Sequence, residues 1–194
     1  MATQDTVDET RNRIIDAARR CFYRHGITAT GVDTLAEEAG VSKRTLYNHF
    51  GSKDGLITAY LQRRETRWRR RLAARLEDVS DDPIERVLAY VDGYADPPDD
   101  QEFRGCAMIN AAAELVDDQH PALGVIRGSL DNIERGIETI LDEAGVTDAA
   151  TVAAQVLLVL EGALNVAGIR RSEEPFACAE SLIVELVGRH LPER

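Results

Sequence analysis

The chain has 194 residues, 44% of them hydrophobic and 29% charged, a formal net charge of −11, and three cysteines. That length suits one domain or two small ones with a sizeable core. The acidic, polar start MATQDTVDETRN lacks a signal-peptide pattern, and Cys21, Cys106 and Cys178 have neither pairing number nor ligand spacing; together these set aside a secreted disulfide scaffold and a cysteine metal site and predict a reducing cytoplasm.

In chain order, the apolar spacing predicts helices throughout, because few segments alternate with period two. Thr6 and Glu9 form a capping box. Behind them Ile14, Ala17, Ala18, Cys21 and Phe22 fit the inner face of a first helix that Gly26 closes. Val32, Leu35, Ala36 and Ala39 recur at i, i+3, i+4 and i+7 and predict the buried face of a short second helix. Thr30 sits at its N-cap position, where a hydroxyl binds an exposed backbone N–H or a phosphate. Gly40 ends that helix and Val41 anchors the turn. Ser42 caps a third helix whose Leu46 and Phe50 point inward. Lys43, Arg44, Thr45, Tyr47, Asn48 and His49 remain on its outer and flanking faces, with no glutamate among them.

Ser52 caps a long fourth helix with Leu56, Ile57, Tyr60, Leu61, Trp68 and Leu72 inside. Asp82-Pro83 opens a fifth, proline being suited to the first helical position. Asp96-Pro97-Pro98-Asp99-Asp100 reads as a loop. A sixth helix is predicted from about Glu102 to Val116, a seventh from Pro121 to about Ala144, an eighth over about Thr147–Ile169, and a ninth from Pro175 to about His190. The longest nearly apolar stretch, Ala149 to Leu160, contains Gln155 and is too short to span a bilayer. The eighth helix is nevertheless apolar nearly all round, so it must be covered on several sides, by a monomer core or by a second copy of the chain.

A polar, basic helix braced by a second helix across a glycine turn is a device for entering the major groove of DNA. Charge supports this use. Residues 1–71 hold fourteen Lys+Arg against nine Asp+Glu, a balance of +5, whereas residues 72–194 carry −16. The only two lysines, Lys43 and Lys53, stand in the basic part. The run Arg63, Arg64, Arg67, Arg69, Arg70 and Arg71 is discounted as a DNA surface. At about 1.5 Å per residue Arg67 lies roughly 20 Å along the helix from Lys53, and ion pairs to the acidic part are expected instead. Lys43, Arg44, Thr45 and Asn48 are the candidate base readers, Arg44 suiting guanine and Asn48 adenine.

The segment Thr28–Lys53 resembles the DNA-binding domain of the tetracycline-repressor (TetR) family of bacterial transcription regulators. The matching residues are Thr30, the run LAEEAGVS from Leu35 to Ser42, Thr45, Leu46, Tyr47, His49, Phe50, Ser52, Lys53 and Leu56. The match runs from Arg13 to Tyr60, about a quarter of the chain, and Arg44 departs from the glycine common at that position. The stretch from Arg104 to Leu115 is also similar to a sixth-helix pattern of that family. The resemblance implies an all-α fold of about nine helices, with a three-helix DNA-binding domain over residues 1–52 and a helical effector-binding and dimerisation domain over 53–194. It implies that Tyr47, His49 and Lys53 hold the DNA backbone, with Thr30 as a fourth anchor. It further implies a homodimer through the last two helices, a near-palindromic double-stranded operator, and repression relieved by a small-molecule effector.

An effector cavity is expected to be walled by Trp68, Tyr90, Phe103, Cys106 and Met108. Asn110 and Glu114 on the sixth helix, and Glu161 and Asn165 on the eighth, either orient a ligand there or else satisfy one another, pair with an arginine such as Arg104 or Arg127, or reach solvent. Acidic groups facing such a cavity favour a cationic or hydrogen-bond-donating compound. Neither an enzyme nor a cofactor is expected. No Gly-rich phosphate loop, GxSxG elbow or HExxH occurs, and Asp117 with His120 alone has the spacing of a helical metal motif. The remaining alternative is a helical ligand-binding or scaffolding protein without sequence-specific DNA binding.

Overall fold

A computed structural model of the protein describes residues 4–95 and 103–192, and among these every regular element is an α-helix. The helices are α1 (Gln4–His25), α2 (Val32–Glu38), α3 (Lys43–Phe50), α4 (Lys53–Asp78), α5 (Pro83–Ala95), α6 (Ala107–Glu114), α7 (Pro121–Glu143), α8 (Ala149–Arg170) and α9 (Glu174–Gly188). The loop expected at residues 96–100, and the expected start of the sixth helix at Glu102, lie outside the described residues.

Packing divides the chain into two compact units. The first comprises the described residues up to Glu65 together with Ala107–Ile126; the second comprises those of 66–106 and 127–194. The cuts therefore differ from the expected boundary between residues 52 and 53, which falls beside the first turn of α4, and α6 folds with the N-terminal unit.

In the first unit Ile14, Ala17, Ala18 and Phe22 of α1 are buried with Leu35 of α2, Leu46 of α3, and Leu56, Ile57 and Leu61 of α4. Phe22 and Tyr60 bring their rings to 5.7 Å. In the second unit α5, α8 and α9 pack on one another. Val87 and Val91 of α5, Ile137 and Leu141 of α7, Val152, Val156 and Leu160 of α8, and Ile183 and Val187 of α9 form its core.

Several expected boundaries move, each for a local reason. Thr6 does not cap α1: the helix already includes Gln4, and the Thr6 carbonyl accepts a hydrogen bond from the Thr10 hydroxyl at 2.9 Å. The sixth helix starts at Ala107, because Gly105 adopts φ +78° and the Cys106 N–H donates to Asn165 Oδ1 at 3.4 Å instead of to a helical carbonyl. A Cβ on Gly168 would come within 2.2 Å of Gly105 N, so the segment before α6 crosses α8 against bare backbone. The eighth helix has 22 residues and is long and apolar enough to cross a membrane by length and composition, a test that a core helix also passes. Here α5 and α9 cover one side of it.

Candidate nucleic-acid interface

The link between α2 and α3 is built by backbone bonds. Gly40 takes φ +62°, which a side-chain-bearing residue adopts at a cost. Its N–H donates to the Glu37 carbonyl, and the Val41 N–H donates to the Ala36 carbonyl at 2.9 Å. Ser42 then caps α3 as expected, its Oγ accepting the Thr45 N–H at 3.0 Å and lying 2.8 Å from the Thr45 hydroxyl. Leu46 is fully buried and fixes the roll of the helix. Phe50 is half-buried, with the Arg11 guanidinium 5.2 Å from its ring centre.

That roll leaves Lys43, Arg44, Tyr47 and Asn48 exposed and Thr45 and His49 half-buried. Lys43 is engaged with Asp33 at 2.5 Å, with both side chains more than half exposed. Such a surface pair contributes little and is readily exchanged for another anion. Thr30 departs from expectation. The N-cap of α2 is Gly31, and the Thr30 hydroxyl is buried, donating to the Gly26 carbonyl at 2.6 Å. It braces the end of α1 and does not face solvent, so it is not placed as a phosphate anchor.

Lys53 is the first residue of α4. Its Nζ donates to the Ile27 carbonyl at 2.6 Å, leaving two of its three protons for other acceptors. Ser52 caps α4 as expected, through the Gly55 N–H at 3.0 Å. Gly55 itself was not singled out in the sequence. A Cβ there would lie 2.1 Å from the Phe50 carbonyl oxygen, so only glycine lets α4 start against the end of α3. Among the described residues, Arg63 and Arg64 do not pair with the acidic part of the chain. Arg63 donates to Asn12 and Asp16 of α1, and Arg64 lies over the Tyr23 ring at 5.4 Å.

In the second unit, the half-buried Trp68 meets Tyr94 edge-on at 5.6 Å and Tyr90 at 6.2 Å. Tyr90 is buried, which pushes its phenol up to about 12 and keeps it neutral. The Tyr94 hydroxyl donates to Glu161 Oε1 at 2.8 Å. Burial raises the Glu161 carboxyl above its ordinary value, against the opposing pull of hydrogen bonds from Tyr94 and the Cys106 thiol. Its Oε2 is buried and receives no N–H or O–H hydrogen bond among the described residues. Phe103 lies 6.2 Å from Phe176, ring centre to ring centre, with the two rings tilted at 47°. Asn165 is committed elsewhere: its Nδ2 donates to the Glu161 carbonyl at 2.7 Å while its Oδ1 receives the Cys106 N–H. Met108 is buried in the first unit, where Asn110 is half-buried. Glu114, also in that unit, accepts the Thr28 N–H at 2.7 Å.

Residues 14–60 match the family of bacterial regulatory proteins named for TetR, and residues 83–181, half of the chain, match the C-terminal domain of LmrA/YxaF-like transcriptional regulators. The chain belongs to the TetR family. Among solved structures, it is similar to sav143 of Streptomyces avermitilis, a TetR-type protein, at 31% identity over 92% of this chain and 98% of that one, with TM-score 0.75. It is also similar to the TetR-family regulator SCO4454 of Streptomyces coelicolor, at 27% identity over 94% and 96% of the two chains and TM-score 0.87. The HTH-type transcriptional regulator Rv1255c of Mycobacterium tuberculosis is 38% identical over 41% of this chain. The chain spans only 39% of the length of that relative. TetR proteins are helix-turn-helix transcriptional regulators, and in this TetR chain α2 and α3 are that motif.

Proposed function

We propose that this chain, a DNA-binding transcriptional regulator by family, acts in the cytoplasm as a homodimeric repressor of a near-palindromic operator. The observation that carries the reading is the outer face of α3. Arg44, Tyr47 and Asn48 are exposed there, no carboxylate shares the helix, and Leu46 beneath is fully buried. Lys43, Arg44, Thr45 and Asn48 read base edges in the major groove. Tyr47, His49 and Lys53 hold phosphates, and Ser42 presents the N-terminus of α3.

The second copy docks on α8 and α9. Thr151, Gln155, Leu158, Gly162, Val166 and Ile169 form one exposed stripe along α8, on which Leu158 is 74% and Ile169 83% exposed. Leu182 and Val184 of α9 are also exposed. Apolar side chains repeated along one helix face favour burial against a partner surface of the same kind, and a two-fold dimer supplies it. The dimer sets two copies of α3 one helical turn of DNA apart.

The effector binds in the second unit among Trp68, Tyr90, Phe103, Cys106 and Glu161. Glu161 Oε2, which accepts no N–H or O–H hydrogen bond among the described residues and lies beside aromatic rings, suits a cationic or hydrogen-bond-donating compound. Glu114 and Asn165 drop out of this set because their polar atoms hold backbone N–H groups. Effector binding releases DNA, and by linkage DNA weakens effector binding by the same factor. No catalytic step and no cofactor enter this account.

A mobility-shift assay with duplexes selected from a random pool tests the reading. Tight binding to a palindrome, falling steeply with salt, is expected. Equal binding to all sequences, or none, would favour a scaffolding or ligand-storage role.

A further inference from the structure

One peptide group in the first unit is held at both ends by opposite charges. Its N–H, from Thr28, donates to Glu114 Oε2 of α6 at 2.7 Å across 86 residues of sequence. Its carbonyl, from Ile27, accepts the Lys53 ammonium at 2.6 Å. A carboxylate on the N–H and an ammonium on the C=O polarise a peptide in the same sense, so each bond strengthens the other. The turn is shaped around this contact. Gly26 takes φ +89°, and a Cβ there would lie 3.0 Å from both Glu114 carboxylate oxygens. The Thr30 hydroxyl pins the Gly26 carbonyl at 2.6 Å from the other side. Near the same end of α4, His120 Nε2 lies 3.3 Å from Asp54 Oδ1 without making a hydrogen bond among the described residues, while His120 Nδ1 accepts the Ala122 N–H.

We infer that Glu114 is a positioning residue for DNA binding, acting through the Ile27–Thr28 peptide on the ammonium of Lys53. With Glu114 in place, the turn carbonyl holds Lys53 Nζ at the start of α4 and presents its two remaining protons to a phosphate. When α6 moves, the peptide loses its carboxylate, the carbonyl weakens as an acceptor, and Lys53 loses its fixed position. The inference rests on the regulator reading for its consequence on DNA, and adds where α6 reports to the reading helices.

The test uses the full chain and the duplex recovered from the random pool. Glu114→Ala is expected to weaken binding about tenfold and to make the salt dependence shallower by about one ion, as Lys53→Met does. Glu114→Gln, which keeps an acceptor oxygen, restores part of the loss. In the double variant Glu114→Ala/Lys53→Met the two losses do not add. Additive losses with an unchanged salt slope in Glu114→Ala would overturn the relay and leave Glu114 as a structural brace. A readout in the free protein separates the relay from the DNA reading. Glu114→Ala must speed hydrogen exchange at the Thr28 amide and shift the ¹⁵N resonance of Lys53 Nζ. An unmoved Lys53 resonance overturns the relay even if the operator is bound normally; a moved one upholds it even if no operator is found.

Discussion

Helices α3 and α8 are opposites. Eight residues make up α3, only Leu46 among them is buried, and its outward face is polar and basic. Eight of the 22 residues of α8 are buried, yet its outward stripe still carries three large apolar side chains, Leu158, Val166 and Ile169, with Leu158 and Ile169 largely exposed. Each helix shows solvent what its own core does not need. A polar outward face without carboxylates suits phosphate and base edges, whereas an apolar one suits another protein surface. The character of the exposed face, more than the fold beneath it, separates the proposed DNA-reading region from the proposed self-association region.

The largest effect tests the α8 half of this comparison. Leu158→Asp with Ile169→Asp is expected to dissociate the dimer, each costing about 2 kcal/mol or more if central to the interface. Operator affinity should fall over a hundredfold with helical content retained, as read by analytical ultracentrifugation and gel shift. A dimer that survives both changes would move the interface elsewhere.

Next, Gly55→Ala probes how α3 is seated. The new methyl meets the Phe50 carbonyl, which is backbone and cannot swing away, so about 1–3 kcal/mol of stability should be lost in chemical denaturation. An unchanged midpoint would mean that the α3–α4 junction relaxes freely.

On the outer face of α3, Arg44→Ala should cost about 1–3 kcal/mol at particular operator positions and leave others unaffected. Uniform loss across all sequences in a binding-site selection would place Arg44 among the phosphate contacts.

The smallest expected effect on stability is at Glu161. Its carboxyl is raised in the folded protein above the ordinary 4.5 by burial. Between those two values the folded state binds more protons than the unfolded, so the contribution of Glu161 to stability is fully present below the unfolded value and is lost as pH rises through the folded one. Glu161→Gln should therefore flatten the fall in melting temperature with rising pH, while abolishing release by a cationic effector. A variant as pH-sensitive as the parent would mean that the Glu161 carboxyl is not raised in the folded protein, and one still released would remove Glu161 from the effector site.

Much of the reading motif was legible because its signals are local. Ser42 lies three residues before the N–H it caps, and Leu46 declares itself by its place in a helical period. Thr30 was misread because a threonine before a helix serves equally as an N-cap or as a donor to the preceding turn. Only the position of the Gly26 carbonyl decides between them. The Glu114–Thr28, Tyr94–Glu161 and Cys106–Asn165 bonds span 86, 67 and 59 residues, and no local pattern encodes such meetings. Gly55 looked like any glycine in a helix, since the Phe50 carbonyl that requires it is visible only once α3 and α4 are joined. The start of α6 was hidden similarly, by the left-handed Gly105 and by Asn165 claiming the Cys106 N–H.

The central claim is that two copies of α3 read DNA together. Hydroxyl-radical footprinting of the full chain on its selected duplex tests it most directly. The account predicts two protected patches of backbone, related by a dyad and about 34 Å apart. A single patch without a dyad, produced by protein that sediments as a dimer, would contradict it.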